Sequence, residues 1–321
     1  MNMLKRGVLA VLISLACALP VSAADVGGSC CADLEERVKE MEATVATKGN
    51  RKVSVTISGQ VSKSLLWIDG DDAVIGDNAN SPSRVRVDGK AKVNADVEAG
   101  YVFEMNADAL TLRHSFVYLK TAIGKVSLGH TSTATDGVSE VSLANTNVAN
   151  LPSNIYGGIV DGPRRNLIRY DSPTIAGFYA SASWASEDEW DAALRYASEL
   201  GEFRLAGAVG YATDFGLERL SGSGSVMHVP SGVFLNGIYG RVDDADATAW
   251  HLTGGVERKL SEIGATTLFA EYGKLDVLGV SGDGFGLGIV QAVDAASMDL
   301  FAAYRDIDDV SVIHAGARIK F

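Results

Sequence analysis

Cysteine is scarce in this chain: three in 321 residues, at positions 17, 30 and 31, and none beyond. No disulfide framework can therefore hold the bulk of it. Bases are outnumbered, 28 Lys and Arg against 40 Asp and Glu, for a formal charge of −12. That balance argues against a nucleic-acid partner, because phosphate binding needs a basic surface. Six prolines make no Pro-rich linker, and 35 glycines follow no collagen period. After residue 23 no apolar run approaches the ~18–20 residues of a membrane-spanning helix. Enzyme signatures are missing too: no G-x-S-x-G, no H-E-x-x-H and no P-loop. His114, His130, His228, His251 and His314 show no metal-ligand spacing. Gly282 to Gly288 alternates glycines as a packed strand does, not as a dinucleotide turn. The acidic stretch Asp69 to Asp77 lacks the sixth-position Gly of a calcium loop. No cofactor and no metal are expected, nor an enzyme, short of a site assembled from distant strands.

What is present begins with an export signal. Lys5 and Arg6 precede the apolar stretch Gly7 to Leu19, Pro20 breaks it, and Val21-Ser22-Ala23 offers small residues for cleavage. Residues 1–23 read as a signal peptide; a lipoprotein signal ending at Cys17 fits less well. Removal takes two bases and leaves −14. Cys30 and Cys31 then sit in a tail, idle or oxidised in the periplasm. Within that tail, 24–50, the residues from Asp33 to Lys48 predict a helix. Leu34, Val38, Met41 and Val45 form a two-heptad seam, either a frayed amphipathic tail or a small coiled coil between subunits.

From Arg51 the hydrophobic period becomes two. Val53, Val55, Ile57, Gly59 and Val61 alternate with polar residues, and so do Val85, Val87, Gly89, Ala91, Val93, Ala95 and Val97. Strands are expected at 53–62, 84–98, 101–109, 112–121, 125–131, 166–171, 177–184 and 190–199. They continue at 202–213, 221–228, 232–242, 247–259, 265–275, 283–293, 297–306 and 311–321. Sixteen strands, an even number, with charged residues on alternate positions, predict an all-β, 16-stranded antiparallel transmembrane barrel over 51–321. Even-numbered connections are short. Odd-numbered ones include the long, acidic ones, with Asp69/Asp71/Asp72/Asp77, Glu187/Asp188/Glu189, Asp243/Asp244/Asp246 and Asp306/Asp308/Asp309. That parity puts periplasmic turns at one end and outer loops at the other. Tyr101, Tyr179, Trp184, Trp190, Tyr239, Trp250 and Tyr272 lie near strand ends, as girdle residues do. The third of these odd-numbered outer connections, 132–165, called the third connection below, is the longest break in the pattern, and loops of that length usually carry function.

The stretches at 32–61, 83–101, 113–129 and 161–173, with the terminal Phe321, together resemble the sixteen-stranded trimeric porins of Gram-negative bacteria, of the rhizobial type. The resemblance implies a multi-pass outer-membrane barrel with its third loop folded inside, a passive, water-filled diffusion channel for small hydrophilic solutes. It also implies a homotrimer in contact with outer-membrane lipid and lipopolysaccharide. A structural barrel that tethers the envelope without conducting is the alternative. Carried over residue by residue, the resemblance puts Arg84 and Arg113 on a basic constriction wall, with Arg86 beside Arg84 and Arg164 and Arg165 extending it. Gln60 and Asn154 stand where many such proteins have a wall lysine and an acidic loop tip. That leaves Asp136, Glu140 and Asp161 as candidates for the acidic side. In strand phase, Arg84 shares its face with Arg86, opposite Val85 and Val87. Arg113 is expected to share its face with Ser115, opposite Phe116 and Tyr118.

Overall fold

The computed structural model describes residues 52–151, 158–185, 189–214 and 216–321. The expected signal peptide, Cys30 and Cys31, the expected helix at 33–48, Asn154, Glu187 and Asp188 lie outside the described residues. Period-two sequence becomes strand through most of the remainder. In chain order the segments are β1 (Ser54–Ile68), β2 (Val74–Asp77), β3 (Arg84–Lys92), β4 (Glu98–Asn106), β5 (Leu112–Thr121), β6 (Gly124–Ser132), β7 (Arg164–Asp171) and β8 (Phe178–Trp184). Then come β9 (Trp190–Leu200), β10 (Phe203–Asp214), β11 (Leu217–His228), β12 (Val233–Val242), β13 (Ala247–Ser261), β14 (Gly264–Val277), β15 (Val280–Val293), β16 (Met298–Ile307) and β17 (Val310–Lys320). Each pairs antiparallel with its neighbour, and β17 returns to β1 from Gln60↔Lys320 to Ile68↔Val312. Gly59 and Phe321 exchange backbone bonds of 3.0 and 3.1 Å, so the terminal residue finishes the seam. Segments β2 and β3 both pair with β1, at Lys63↔Asp77 and Gln60↔Arg84, and are two pieces of one stave. The result is a closed antiparallel barrel of sixteen staves. Closure leaves no edge with unpaired backbone, which a lipid environment demands.

Alternation sorts the two faces. Ile57, Val61, Leu128, Leu220, Leu252 and Leu287 point outward and are exposed. Gln60, Ser62, Glu104, Asp191, Arg195, Asn236, Glu271, Arg305 and Arg318 point inward and are buried. Trp184, Trp190, Tyr239 and Tyr272 are outward-facing and exposed, as girdle residues should be. Tyr179 is not one of them: it faces inward, with the Arg195 guanidinium 5.6 Å from its ring centroid.

Two expectations about the strands need correction. The run expected to continue to residue 98 ends at Lys92. Asn94 Oδ1 accepts from the backbone N–H groups of Asp96 and Val97, both at 2.9 Å, and bends the chain at 93–97. Asn is a turn former through this self-bonding, and alternation of types across it was coincidental. Nor are the odd connections long apart from the third. Asp214 to Leu217, Val277 to Val280 and Ile307 to Val310 each leave two residues between strands. Asp308 and Asp309 take φ of 49° and 65°, the two left-handed positions of a tight hairpin. The strands run on into that rim, and Asp77 and Asp306 belong to strands.

Candidate functional site

The third connection packs against the inner face of the barrel, and its backbone takes hydrogen bonds there. Asp191 on β9 accepts from the N–H groups of Ala134, at 3.1 Å, and Thr135, at 2.6 Å. Glu257 on β13 accepts from Asn145 N–H at 2.7 Å, and Glu271 on β14 from Leu151 N–H at 2.8 Å. Arg195 donates to the carbonyls of Ala134 and Asp136, and Arg305 to those of Ala149 and Asn150. Ala144, Val148 and Ala149 fill an apolar cluster with Met227, Phe234, Phe269, Val290 and Phe301 on the inner faces of β11 to β16. Gly240 on β12 lets 159–160 approach closely: a Cβ there would meet Ile159 O at 2.7 Å. The described residues of the connection thus cover the inner wall from β7 to β16 and leave the side of β3 to β6 open.

On that open side stand the arginines. Arg84 and Arg86 point inward from β3, opposite exposed Val85. One buried carboxylate, Glu104 on β4, serves three guanidinium groups: Arg113 at 2.7 Å, Arg86 at 3.3 Å and Arg84 at 3.9 Å. Arg86 is also held by Asp88 at 2.8 Å. Arg113 reaches the lumen by a route its sequence spacing hides. Glu104 pairs with His114 and Met105 with Leu112, so Arg113 is the extra residue of a β-bulge. The bulge reverses the phase: Val117 and Leu119 face out, and Phe116 and Tyr118 share the inner face with Arg113 and His114. The expected sharing with Ser115 is therefore corrected, although the arginine still points inward.

Two cavities occupy the lumen. One, of about 560 Å³, opens toward the rim of the odd connections and includes Asp214, Leu217 and Val242. The other, of about 370 Å³, extends toward the opposite rim and includes Arg86, Glu104, His114 and Arg318. They share Asn80, Arg84, Arg113, Glu140 and Arg164. Asp136 and Asp161 line the first, and Arg164 pairs with Asp136 at 3.2 Å. Asp161 accepts from Ser139 N–H at 2.8 Å and from the Ser139 hydroxyl. Burial pushes its carboxyl up to about 6 against those two bonds, and the neighbouring Asp136 and Glu140 add to the rise.

Of the expected residues, the structure thus brings together Arg84, Arg113, Arg164, Asp136, Glu140 and Asp161, with Arg86 on the inner side. Arg165 is elsewhere, between Glu189 and Asp214 near the odd-connection rim. Gln60 is not a lumen group in waiting: its amide donates to Ser81 Oγ at 2.8 Å and to Pro82 O at 2.8 Å. Sequence reasoning missed Glu104, Asp191, Arg195, Arg219, Glu271, Arg305 and Arg318. Each is a charged residue on the inward phase of an otherwise small or apolar strand face, and that signal was available. The residues 78–83 between β2 and β3, which leave the wall and turn inward to meet the third connection, left no such trace. Among the described residues no three His, Cys, Asp or Glu side chains cluster as metal ligands, and no helix is long and apolar enough to cross a membrane.

A closed barrel with an apolar exterior, aromatic girdles and a charged, partly filled interior defines an integral outer-membrane protein. More narrowly, the chain belongs to the Gram-negative porin family, whose model matches residues 9–315. A search of curated protein sequences gave no match. Solved structures of similar fold include OmpT of Vibrio cholerae, at 17% identity and a TM-score of 0.65 over 85% of this chain and 99% of that one. The same protein has been solved in a trimer form. The anion-selective porin of Comamonas acidovorans is 17% identical, with a TM-score of 0.60 over 84% of this chain and all of that one. At these identities the likeness is one of fold. Family and fold together make this an outer-membrane channel protein rather than an enzyme.

Proposed function

We propose that the barrel is a passive diffusion channel for small hydrophilic solutes and ions, with its neck between the arginines of β3 and β5 and the third connection. The observation that carries this reading is the shared lining of the two cavities at Asn80, Arg84, Arg113, Glu140 and Arg164. A solute passing between the rims must cross that set. Fixed charges in a narrow, low-dielectric neck act more strongly than charges at a wide mouth. Toward the odd-connection rim, four arginines face four carboxylates: Arg84, Arg113, Arg164 and Arg219 against Asp136, Glu140, Asp161 and Asp214. On the inner side Arg84, Arg86, Arg113, Arg164 and Arg318 outnumber Glu104 and Glu140. The neck therefore favours anions, while the acidic rim favours cations, and net selectivity is modest.

Single-channel recording of the purified protein in a planar bilayer tests the reading. Stable open steps are expected, in threes for the trimer, which is proposed here along with contact to lipopolysaccharide at the barrel exterior. Replacing Arg84 and Arg113 together by Ala should raise conductance and move the reversal potential toward cations. A barrel that inserts and never conducts would leave the envelope-tethering alternative. A double variant with parental selectivity would remove these arginines from the neck.

A further inference from the structure

The second stave is interrupted where the first is not. Between Gln60 and Lys63, two residues of β1 face six residues of the opposing chain, 78–83. Four residues more than a ladder can hold must leave the wall, and these turn inward. The turn is fixed at its base. Asn78 N–H donates to Ser62 O at 3.2 Å, and Ser62 N–H to Ser83 Oγ at 2.9 Å. Gln60 binds Ser81 and Pro82, and Arg318 donates to Ser81 Oγ at 2.9 Å. Its tip meets the third connection. Asn78 Nδ2 donates to Val148 O at 3.0 Å, and Asn80 Nδ2 to Asn150 O at 2.7 Å. Asn78 is fully buried, whereas Asn80 keeps partial exposure and lines both cavities.

We propose that the inward turn 78–83 is a second constriction element, built from the wall itself, and that Asn80 is a specificity-determining residue of the neck. The inference rests on the channel reading above. It adds that the aperture is set by two pieces of chain bonded to each other rather than by one loop. Asn80 places an uncharged amide in a set otherwise made of Arg84, Arg113, Arg164 and Glu140. A side chain at this point changes the field felt by every passing ion, by its size and its charge. Asn78 acts through the turn's position and is a positioning residue.

The test uses the full chain with Cys17, Cys30 and Cys31 replaced by Ser, carrying Asn80→Cys, and folding is checked by the heat-dependent gel shift of the barrel. The thiol is modified in the bilayer with a sulfonate-bearing or an ammonium-bearing methanethiosulfonate. Both adducts should lower single-channel conductance. The sulfonate should shift the reversal potential toward cations and the ammonium toward anions. A structural role alone would not follow the sign of the reagent. Asn78→Ala should add flicker or sublevels to the open state of a folded barrel, because the tip loses one of its two amide bonds to the third connection. Conductance and reversal potential unchanged after modification confirmed by mass would overturn the inference, as would a thiol that stays unmodified in a conducting barrel. A parent protein that never conducts would instead overturn the channel reading.

Discussion

Asp161 sits where a carboxyl is least comfortable charged, half-buried beside Asp136 and Glu140 of its own connection. Its proton is held to about pH 6, with burial as the leading cause. In the folded protein it binds a proton in a window from about 4 to about 6, where the free side chain would not. By linkage its contribution to stability grows as pH falls through that window. The same proton alters the neck. At pH 7.5 Asp161 carries a charge opposite to that of Arg164 and Arg84. At pH 5 it does not, and the reversal potential should move toward anions. Asp161→Asn should show the acidic selectivity at both values, and a parent whose selectivity is flat from pH 5 to 7.5 would refute this assignment. Arg113 carries a different lesson at this scale. Its type and rough position were legible, but the bulge that turns it inward was not. A bulge is a mismatch between two strands, and one strand's alternation does not display it.

Among elements, the third connection is the one whose place depends on other parts of the chain. Glu271 joins Leu151 N–H, His251 at 3.1 Å and Arg305 at 3.4 Å, all with side chains at most 3% exposed. Removing one partner of such a buried set leaves the others uncompensated, at a cost of about 3–5 kcal/mol. Glu271→Ala should therefore lower the temperature of the gel shift and give an unstable open level, while Glu271→Gln, which keeps an acceptor for Leu151, should do less. Equal behaviour of the two variants would mean that charge, not the backbone bond, holds the loop. The connection's length marked it in the sequence, because 34 residues without period inside a regular barrel stand out. Its anchors were partly legible as inward-phase charges. The broken second stave was illegible. Its inward turn is made of Asn, Ala, Ser and Pro, which read as an ordinary surface loop, and only the pairing of β1 on both sides of the break reveals it.

For the whole molecule the fold was the most legible part. Alternation forces each strand to have a lipid side and a water side, and strand count and closure follow from that constraint. Charge distribution also acts at this scale. Asp243, Asp244, Asp246, Asp306, Asp308 and Asp309 crowd one rim whether or not the connections there are long. Their field extends roughly 10 Å at 0.1 M salt and roughly 3 Å at 1 M. Cation preference should weaken as salt rises from about 0.1 to about 1 M, and constant selectivity across that range would show that the neck alone decides. Trimers should survive deletion of residues 33–48, since two heptads add little stability. Only monomers on a native gel after the deletion would make the tail the organiser.

The bonds that hold the third connection also fix a sequence of events. Its residues 145 to 151 depend on partners 112 to 156 positions later in the chain, on β13, β14 and β16. The turn at 78–83 waits for Arg318, 237 positions beyond Ser81. Contacts so distant form late, after the entropy of closing long loops has been met. Until the last staves arrive, a half-built barrel has a rim, a wall and no filter. Because the final seam and the filter need the same last strands, a channel that closes acquires its size limit in the same step, and an incompletely closed one is never a working pore of normal selectivity. Truncation of Phe321, which removes the Gly59 bonds, should therefore slow closure and the appearance of normal open levels together, as followed by gel shift and bilayer recording on the same refolding sample.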